Sequence, residues 1–596
     1  MPRHKRMRQV AVLALVIANS QILKSSNPQI SPPPDAVLRA MTDEMSRAVK
    51  ELHLENLPRP YYMDQTVVES DTFSGIAVFG GLARARRQQS RSQILTVRVG
   101  DYQFDNTNFP SGLQRNYDVY SLPLEDDYPT LRRHFWLAAD EAYKAAVEAL
   151  ARKRAALRNI SLPVQLNDFA RQAPAATVGD KPRLTIDEKV WSERLRQFSA
   201  VFRRYPKILS SRVEFEAAAG TRYFVNSEGT RVRDPEVIWL LQAVAMAQAS
   251  DGMRLHDSAW IAARREDLLG SPDGIRLEIE AMAARLSAFA GAPTLDGYSG
   301  PVLFEKMAAA QVFAEFLGRN LAMTRRPVTA GQGNFGGQAG GIGGAFDGRR
   351  KSRVLPEWMD VADDATAADF QGRPLLGHYA VDLEGVRPQR LELVRHGVLE
   401  NYLLSRLPVK GFEGSNGHAR IPGPGGTSIA TPANLFVTAR QTVPEAGLKK
   451  QLLEICKAQD REFGLIIRKL DFPSAASRED LQNIFSGQGR DERPTSIPLA
   501  IYKVYVADGR EEPVRGLRLQ GFSTRNLKDI IAAGDEPFVF HFIDSGSPFA
   551  LMEGTYGAET SVIAPSVLME DVELKGAEEQ RPKLPVVPHP YFSRAR

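Results

Sequence analysis

The chain has 596 residues, 43% of them hydrophobic and 25% charged. At about 150 residues per domain it is too long for one hydrophobic core and suits two to four domains. That composition excludes a collagen-like or disordered chain, and a single cysteine excludes a disulfide scaffold. The net charge of +5 is concentrated at the start, where Arg3, Lys5, Arg6 and Arg8 stand without an acid. The rest is nearly neutral and carries no basic excess of the kind a nucleic-acid partner demands.

The N-terminus has the three parts of a secretory signal: basic Met1–Arg8, nine apolar residues from Val10 to Ala18, and small residues at Ala18-Asn19-Ser20. Nine residues are too few to span a bilayer, which needs about 20. Residues 1–20 are therefore expected to direct export to the periplasm or cell envelope, by cleavage or as an uncut anchor. No later segment is long and apolar enough to cross. Residues 21–34 are a Pro/Ser-rich tether.

Next, Val37, Met41, Met45, Val49 and Leu52 predict a helix over 35–54. Residues 61–105 read as strand, with Ile94–Val99 bounded by Gly100-Asp101. Leu131, Phe135, Ala139, Tyr143, Val147 and Leu150 share one face of a long helix over 128–158. Val213–Phe215 and Tyr223–Val225 read as a strand pair joined through Gly220-Thr221, and helical patterns dominate from Pro235 to Met323. Thr329–Gly348 holds nine glycines. It is expected to be a loop or linker, because Arg349-Arg350 stands where a phosphate loop needs Lys-Ser/Thr. Beyond it come strand signals at His378–Asp382, Arg390–Val394, Leu399–Leu404, Ala500–Val506 and Gly516–Gly521, and one helix near Glu445–Arg461. Cys456, beside Leu448, Leu452 and Ile455 on that helix, suits a small buried hydrophobe. The expectation is an α+β fold: an N-terminal α+β domain (35–325), a Gly-rich linker (326–355), a β-rich domain (356–575) and a Pro-rich tail (576–596).

No catalytic centre announces itself. The nine histidines include no pair within one or two helical turns, the spacing that lets two imidazoles meet one zinc. Ser545-Gly546-Ser547 and Gly297–Gly300 lack the Gly-x-Ser-x-Gly form of a nucleophile elbow. Asp363-Asp364, Asp382/Glu384 and Glu511-Glu512 read as solvated turns. Chemically the most varied short segment is Ser415–Arg420. Asn416 and His418 can donate and accept, Arg420 can grip a carboxylate bidentately, and Gly417 permits close backbone approach. Asn416, His418 and Arg420 are the candidate substrate-binding residues, with a structural turn as the alternative reading.

Taken in order, Gly300–Glu305, Asp382–Val386, Gly397–Leu399, Ser415–Arg420, Val514–Gly516 and Ala564–Leu568 resemble the TldD/PmbA family, described as metallopeptidases and as modulators of DNA gyrase. The resemblance spans roughly residues 35–575 and implies an N-terminal α+β domain followed by a β-rich, barrel-like one. Active members carry a His-Glu-x-x-x-His helix just after the stretch matching Gly300–Glu305, and a later cysteine completes their zinc site. Here the helix reads Lys306–Gly318 without a histidine; Glu315 remains, but a general base without a metal-bound water has nothing to activate. No metal ligand, catalytic residue or cofactor is carried over. The chain resembles the family's motif-less subunits, which pair with an active partner. The expectation is a metal-free subunit that shapes a peptide-binding cavity, in a homo-oligomer or a hetero-oligomer with a motif-bearing relative. A peptidase with a non-standard metal site and a stand-alone envelope peptide-binding protein are the alternatives.

Overall fold

The computed structural model describes residues 35–109, 120–158, 166–325, 328, 344–422, 427–471, 497–544 and 557–576. The expected export segment and tether, most of the Gly-rich stretch and the Pro-rich tail from 577 lie outside them.

The first unit is a sheet, antiparallel except at Ala176–Val178, with four helices on one face. Helix α1 (Ala36–Glu51), capped by the Asp35 carboxylate, precedes a long hairpin of β1 (Pro60–Val78) and β2 (Gly81–Val99). Helices α2 (Tyr128–Leu157) and α3 (Glu188–Ala200) follow, each again with an aspartate cap. Then come β3 (Ile208–Asn226), β4 (Arg231–Gln248), β5 (Arg254–Ala263) and α4 (Pro272–Phe289). The strand order is Tyr120–Ser121, β2, β1, β3, β4, with both Ala176–Val178 and β5 on the outer side of β4.

Strand side chains alternate between faces, and here the parity is consistent across the sheet. Odd-numbered residues face the helices: Met63, Val67 and Tyr223 meet α1 and α2, while Phe73, Phe215, Trp239 and Leu241 meet α3 and α4. Even-numbered Tyr62, Phe224 and Val232 face the second unit, against Leu407 and Val381. Two sequence expectations fail in this sheet. Gly220-Thr221 is the interior of β3, and the hairpin turn lies at Ser227–Thr230. The 235–263 stretch is strand, and only Pro272–Phe289 of the expected helical region before 297 is α-helix.

The second unit begins earlier than the Gly-rich segment, with β6 (Gly297–Phe304) and the short helix α5 (Met307–Val312). It continues through β7 (Met359–Asp363), β8 (Asn434–Ala439), α6 (Glu445–Ala458), β9 (Phe463–Leu470) and β10 (Pro498–Tyr505). It ends with β11 (Phe538–Asp544), β12 (Ala558–Ala564) and β13 (Val567–Gly576). One sheet orders Val398–Leu399, Leu391–Arg395, β7, β8, β12, β11. The other orders Glu511–Val514, β10, β9, β6, β13, Leu517–Leu519, with Ile530–Ala533 also on β13. Among the described residues both sheets are open, so the barrel-like expectation is corrected to two packed sheets, while the α+β, β-rich class stands. His378–Asp382, expected as strand, is a turn that wraps Asp382, whose carboxylate accepts N–H groups from Glu384, Val386 and Ala419.

Helix α5 lies between these sheets. Val302 and Phe304 of β6 and Leu465 and Ile467 of β9 point into the core that holds it, whereas Leu303 and Ile466 point outward to α6. Cys456 on α6 is buried among those outward residues as the small hydrophobe its spacing predicts. Among the described residues no helix is long and apolar enough to cross a membrane.

Candidate functional site

A cavity of about 690 Å³ opens between the two units, where β5 and α4 of the first face α5, β9, β10 and β11 of the second. Its wall is largely apolar and aromatic (Trp260, Ile261, Met307, Tyr502, Phe538, Phe540), with charges of both signs set among these residues. Cavities of this size and mixed lining are the usual form of a ligand site.

The charges are held by pairing, within each unit and once across the two. Lys469, at the end of β9, reaches Asp257 of β5 at 2.6 Å and also donates to the Ser258 carbonyl. Arg285 of α4 donates to the other Asp257 oxygen at 2.7 Å. Burial works to raise the Asp257 pKa, but these two cations outweigh it and hold the carboxyl below the usual range. Glu305 pairs with Arg468 at 2.6 Å, and Arg468 also contacts Glu511. Glu278 faces the same space with its pKa raised by burial against the pull of Lys469 and Arg285. His541 accepts from or donates to Ser561 Oγ at 2.9 Å. Burial and the nearby Arg264 and Arg373 lower its pKa to about 4, so its imidazole is neutral at pH 7.

Helix α5 starts at this cavity. Lys306 precedes it with φ +44°, a left-handed backbone that costs a non-glycine residue energy. Its N–H is held by Ser566 Oγ at 2.9 Å. The α-turns give way at Phe313–Leu317 to a π-helix, a form that recurs at functional sites. Gln311 is buried; its Nε2 donates to the Leu470 carbonyl at 3.2 Å and its Oε1 accepts the Leu470 N–H at 2.8 Å. Met307 and Gln311 are therefore what α5 offers to the cavity. Neither supplies the imidazole lone pair that zinc takes, and the residues present do not fit the zinc of active family members. Among the described residues no group of three His, Cys, Asp or Glu is placed to share a metal ion.

Asn416, His418 and Arg420 lie together elsewhere, around the end of β7, and none lines the cavity. His418 is fully buried, with Nε2 3.0 Å from Asp363 and Nδ1 3.1 Å from both the Asn416 carbonyl and its Oδ1. Asn416 bonds the Tyr402 carbonyl and the Leu404 N–H. Arg420 donates to the Pro432 and Glu559 carbonyls and lies over the Tyr379 ring. Gly417, at φ +80°, packs against Arg387, whose carbonyl a β-carbon would meet at 2.5 Å. The residues that do line the cavity (Glu278, Arg285, Arg468, Lys469 and His541) carried no sequence signal. They come from three separate elements, α4, β9 and β11, and converge only through the fold.

Residues 298–476 match the family model described as the PmbA/TldA metallopeptidase C-terminal domain. Solved structures extend the likeness to the whole fold. TldE from Thermococcus kodakarensis superimposes with a TM-score of 0.56 at 13% identity, covering 90% of this chain and 100% of its own. A candidate modulator of DNA gyrase from Thermotoga maritima gives 0.53 at 14% identity, covering 86% and 96%. One from Bacteroides thetaiotaomicron gives 0.52 at 14% identity, covering 90% and 98%. Among curated proteins none matches. The class is thus an α+β protein of the TldD/TldE fold, peptidase-like in its second unit. Residues 298–476 thus carry the likeness to the PmbA/TldA metallopeptidase C-terminal domain, and the solved structures show the fold.

Proposed function

We propose that this protein is a metal-free member of its family whose cavity between the units holds a peptide, in company with a catalytic, motif-bearing partner. The observation that carries this reading is α5. In active members the corresponding helix presents histidines, whereas here it presents Met307 and a Gln311 already engaged by Leu470. The cavity at its start keeps the apolar wall and paired charges that suit an extended peptide. Zinc analysis of the purified chain and co-purification with a motif-bearing relative test the proposal. Less than 0.1 zinc per chain, with activity appearing only in the mixed complex, is expected. One tightly held zinc per chain and hydrolysis by the chain alone would overturn it.

The N-terminal segment extends the proposal to export. Cell fractionation with N-terminal sequencing should find a chain starting after residue 20, or anchored through that segment, in the envelope. Intact Met1 on a cytoplasmic protein would overturn this part alone.

A further inference from the structure

Beyond its first residues the chain is nearly neutral, but its charge is unevenly placed. Two segments hold no acidic residue: 72–100, with five arginines, and 194–213, with five arginines and Lys207. The fold brings them together at one end of the first unit's sheet. Strands β1 and β2 turn there through Phe79 and Gly80, both at positive φ as in a type I′ hairpin. Arg203 Nε donates to the Phe79 carbonyl at 2.7 Å, and the Gly80 N–H donates to Ser199 Oγ at 2.9 Å.

Ion pairs separate these cations into two sets. Arg87 meets Asp71, Arg91 meets Glu69, Arg204 meets Glu280 and Arg212 meets Glu214, so their charge is neutralised within the fold. Arg84, Arg86 and Lys207 are exposed and meet no carboxylate among the described residues. Arg203, also exposed, lays its guanidinium against Gly80 of the turn. Val78 and Leu209, 39% and 43% exposed, lie beyond the last β1–β3 pair, Ala77↔Val213. Positive charge and uncovered apolar side chains therefore share one tip.

We propose that this tip docks on an anionic lipid surface: Arg84, Arg86, Arg203 and Lys207 meet the headgroups, and Val78 and Leu209 enter the acyl boundary. Charge complementarity selects an anionic partner, because each Lys or Arg held near such a surface adds attraction that fades within a Debye length. The apolar pair selects lipid among anionic partners. Two separate side chains at strand ends form no groove for a protein segment, and a phosphate backbone offers them nothing apolar. A bilayer interface takes up both the charges and the apolar pair.

The test uses the full chain carrying V78C. The native Cys456 is buried, so a polarity-sensitive dye attaches at position 78 alone. Phosphatidylcholine vesicles with about 30% phosphatidylglycerol should raise its emission, and vesicles of phosphatidylcholine alone should not. Adding R84E and R86E should shift half-saturation about tenfold to higher lipid at an unchanged melting temperature, and raising the salt to about 0.5 M should do the same. L209S should weaken binding about threefold. All these chains share one N-terminal segment, so differences between them report the tip. Equal responses on both kinds of vesicle, or by R84E/R86E and its parent, would overturn the proposal. So would vesicles that sediment the chain while the dye stays unmoved, which would place the contact elsewhere. A stronger response to a DNA duplex than to the anionic vesicles would overturn it in favour of nucleic acid.

Discussion

His418 illustrates how a chemically versatile residue is used for architecture. Its Nε2 meets Asp363, which is fully buried and whose other oxygen accepts the Ala433 N–H. Removing the imidazole leaves that carboxylate short of a partner where water cannot replace it. H418A should therefore cost about 2–3 kcal/mol, read as a lower midpoint in urea unfolding, and should leave peptide binding at the cavity unchanged. A loss of peptide binding at normal stability would return His418 to the site. The residue types of Ser415–Arg420 are legible in the sequence, but their direction is not. The same Asn, His and Arg serve a ligand if they point into a cavity and a turn if they point at the chain's own carbonyls. Cavity residues such as Lys469 and Arg285 are illegible for the complementary reason, because nothing local marks a charge whose partner is on a distant strand.

Among the elements, those with a clean period are the ones the sequence shows. Helices α1, α2 and α6 keep their apolar stripe and form where the spacing puts them, and most of the 61–105 stretch read as strand is strand, as a hairpin ending at Val99. Strand β4 misleads because Val237–Ala247 is an almost unbroken apolar run rich in Ala and Leu. Period 2 exists there only in burial, with Trp239, Leu241, Ala243, Ala245 and Ala247 inward, and such runs cannot be told from buried helix by periodicity. Gly220 misleads in another way. It sits mid-strand because β1 passes so close that a β-carbon would lie 2.3 Å from the Glu69 carbonyl oxygen. G220V should force β1 and β3 apart and destabilise the first unit by about 1–3 kcal/mol, which denaturant titration of the intact protein would register. An unchanged midpoint would show that the strands separate freely there.

The molecule as a whole is joined by buried charge. Arg406 of the second unit donates to the Ala170 carbonyl and to Glu228 of the first, and Arg222 of the first donates to the carbonyls of Val381 and Asp382. Beneath them Glu384 is pushed up to about 8 by burial and by the neighbouring Asp382. The three N–H groups on Asp382 favour its ionised form, so the proton of this pair resides on Glu384. An acid whose folded pKa lies above its unfolded value contributes stability in full below the unfolded pKa and loses it as pH rises through the folded one. Stability should therefore fall by about 2–4 kcal/mol between pH 4.5 and 8 on account of this group, and E384Q should flatten that part of the profile. An identical pH profile for E384Q would assign the dependence elsewhere. The placing of β6 has a consequence in time. It is the middle strand of its sheet, yet it pairs with residues 465–467 on one side and 567–575 on the other. As the chain emerges during synthesis, the first unit can close on itself while β6 and α5 wait, apolar and unpaired, for nearly the last residues to appear. Distant pairing of this kind is slow and exposes the waiting surface to aggregation. Nascent chains arrested at residue 560 should show a protease-resistant core ending before 297, with everything after it digestible, until β13 is released.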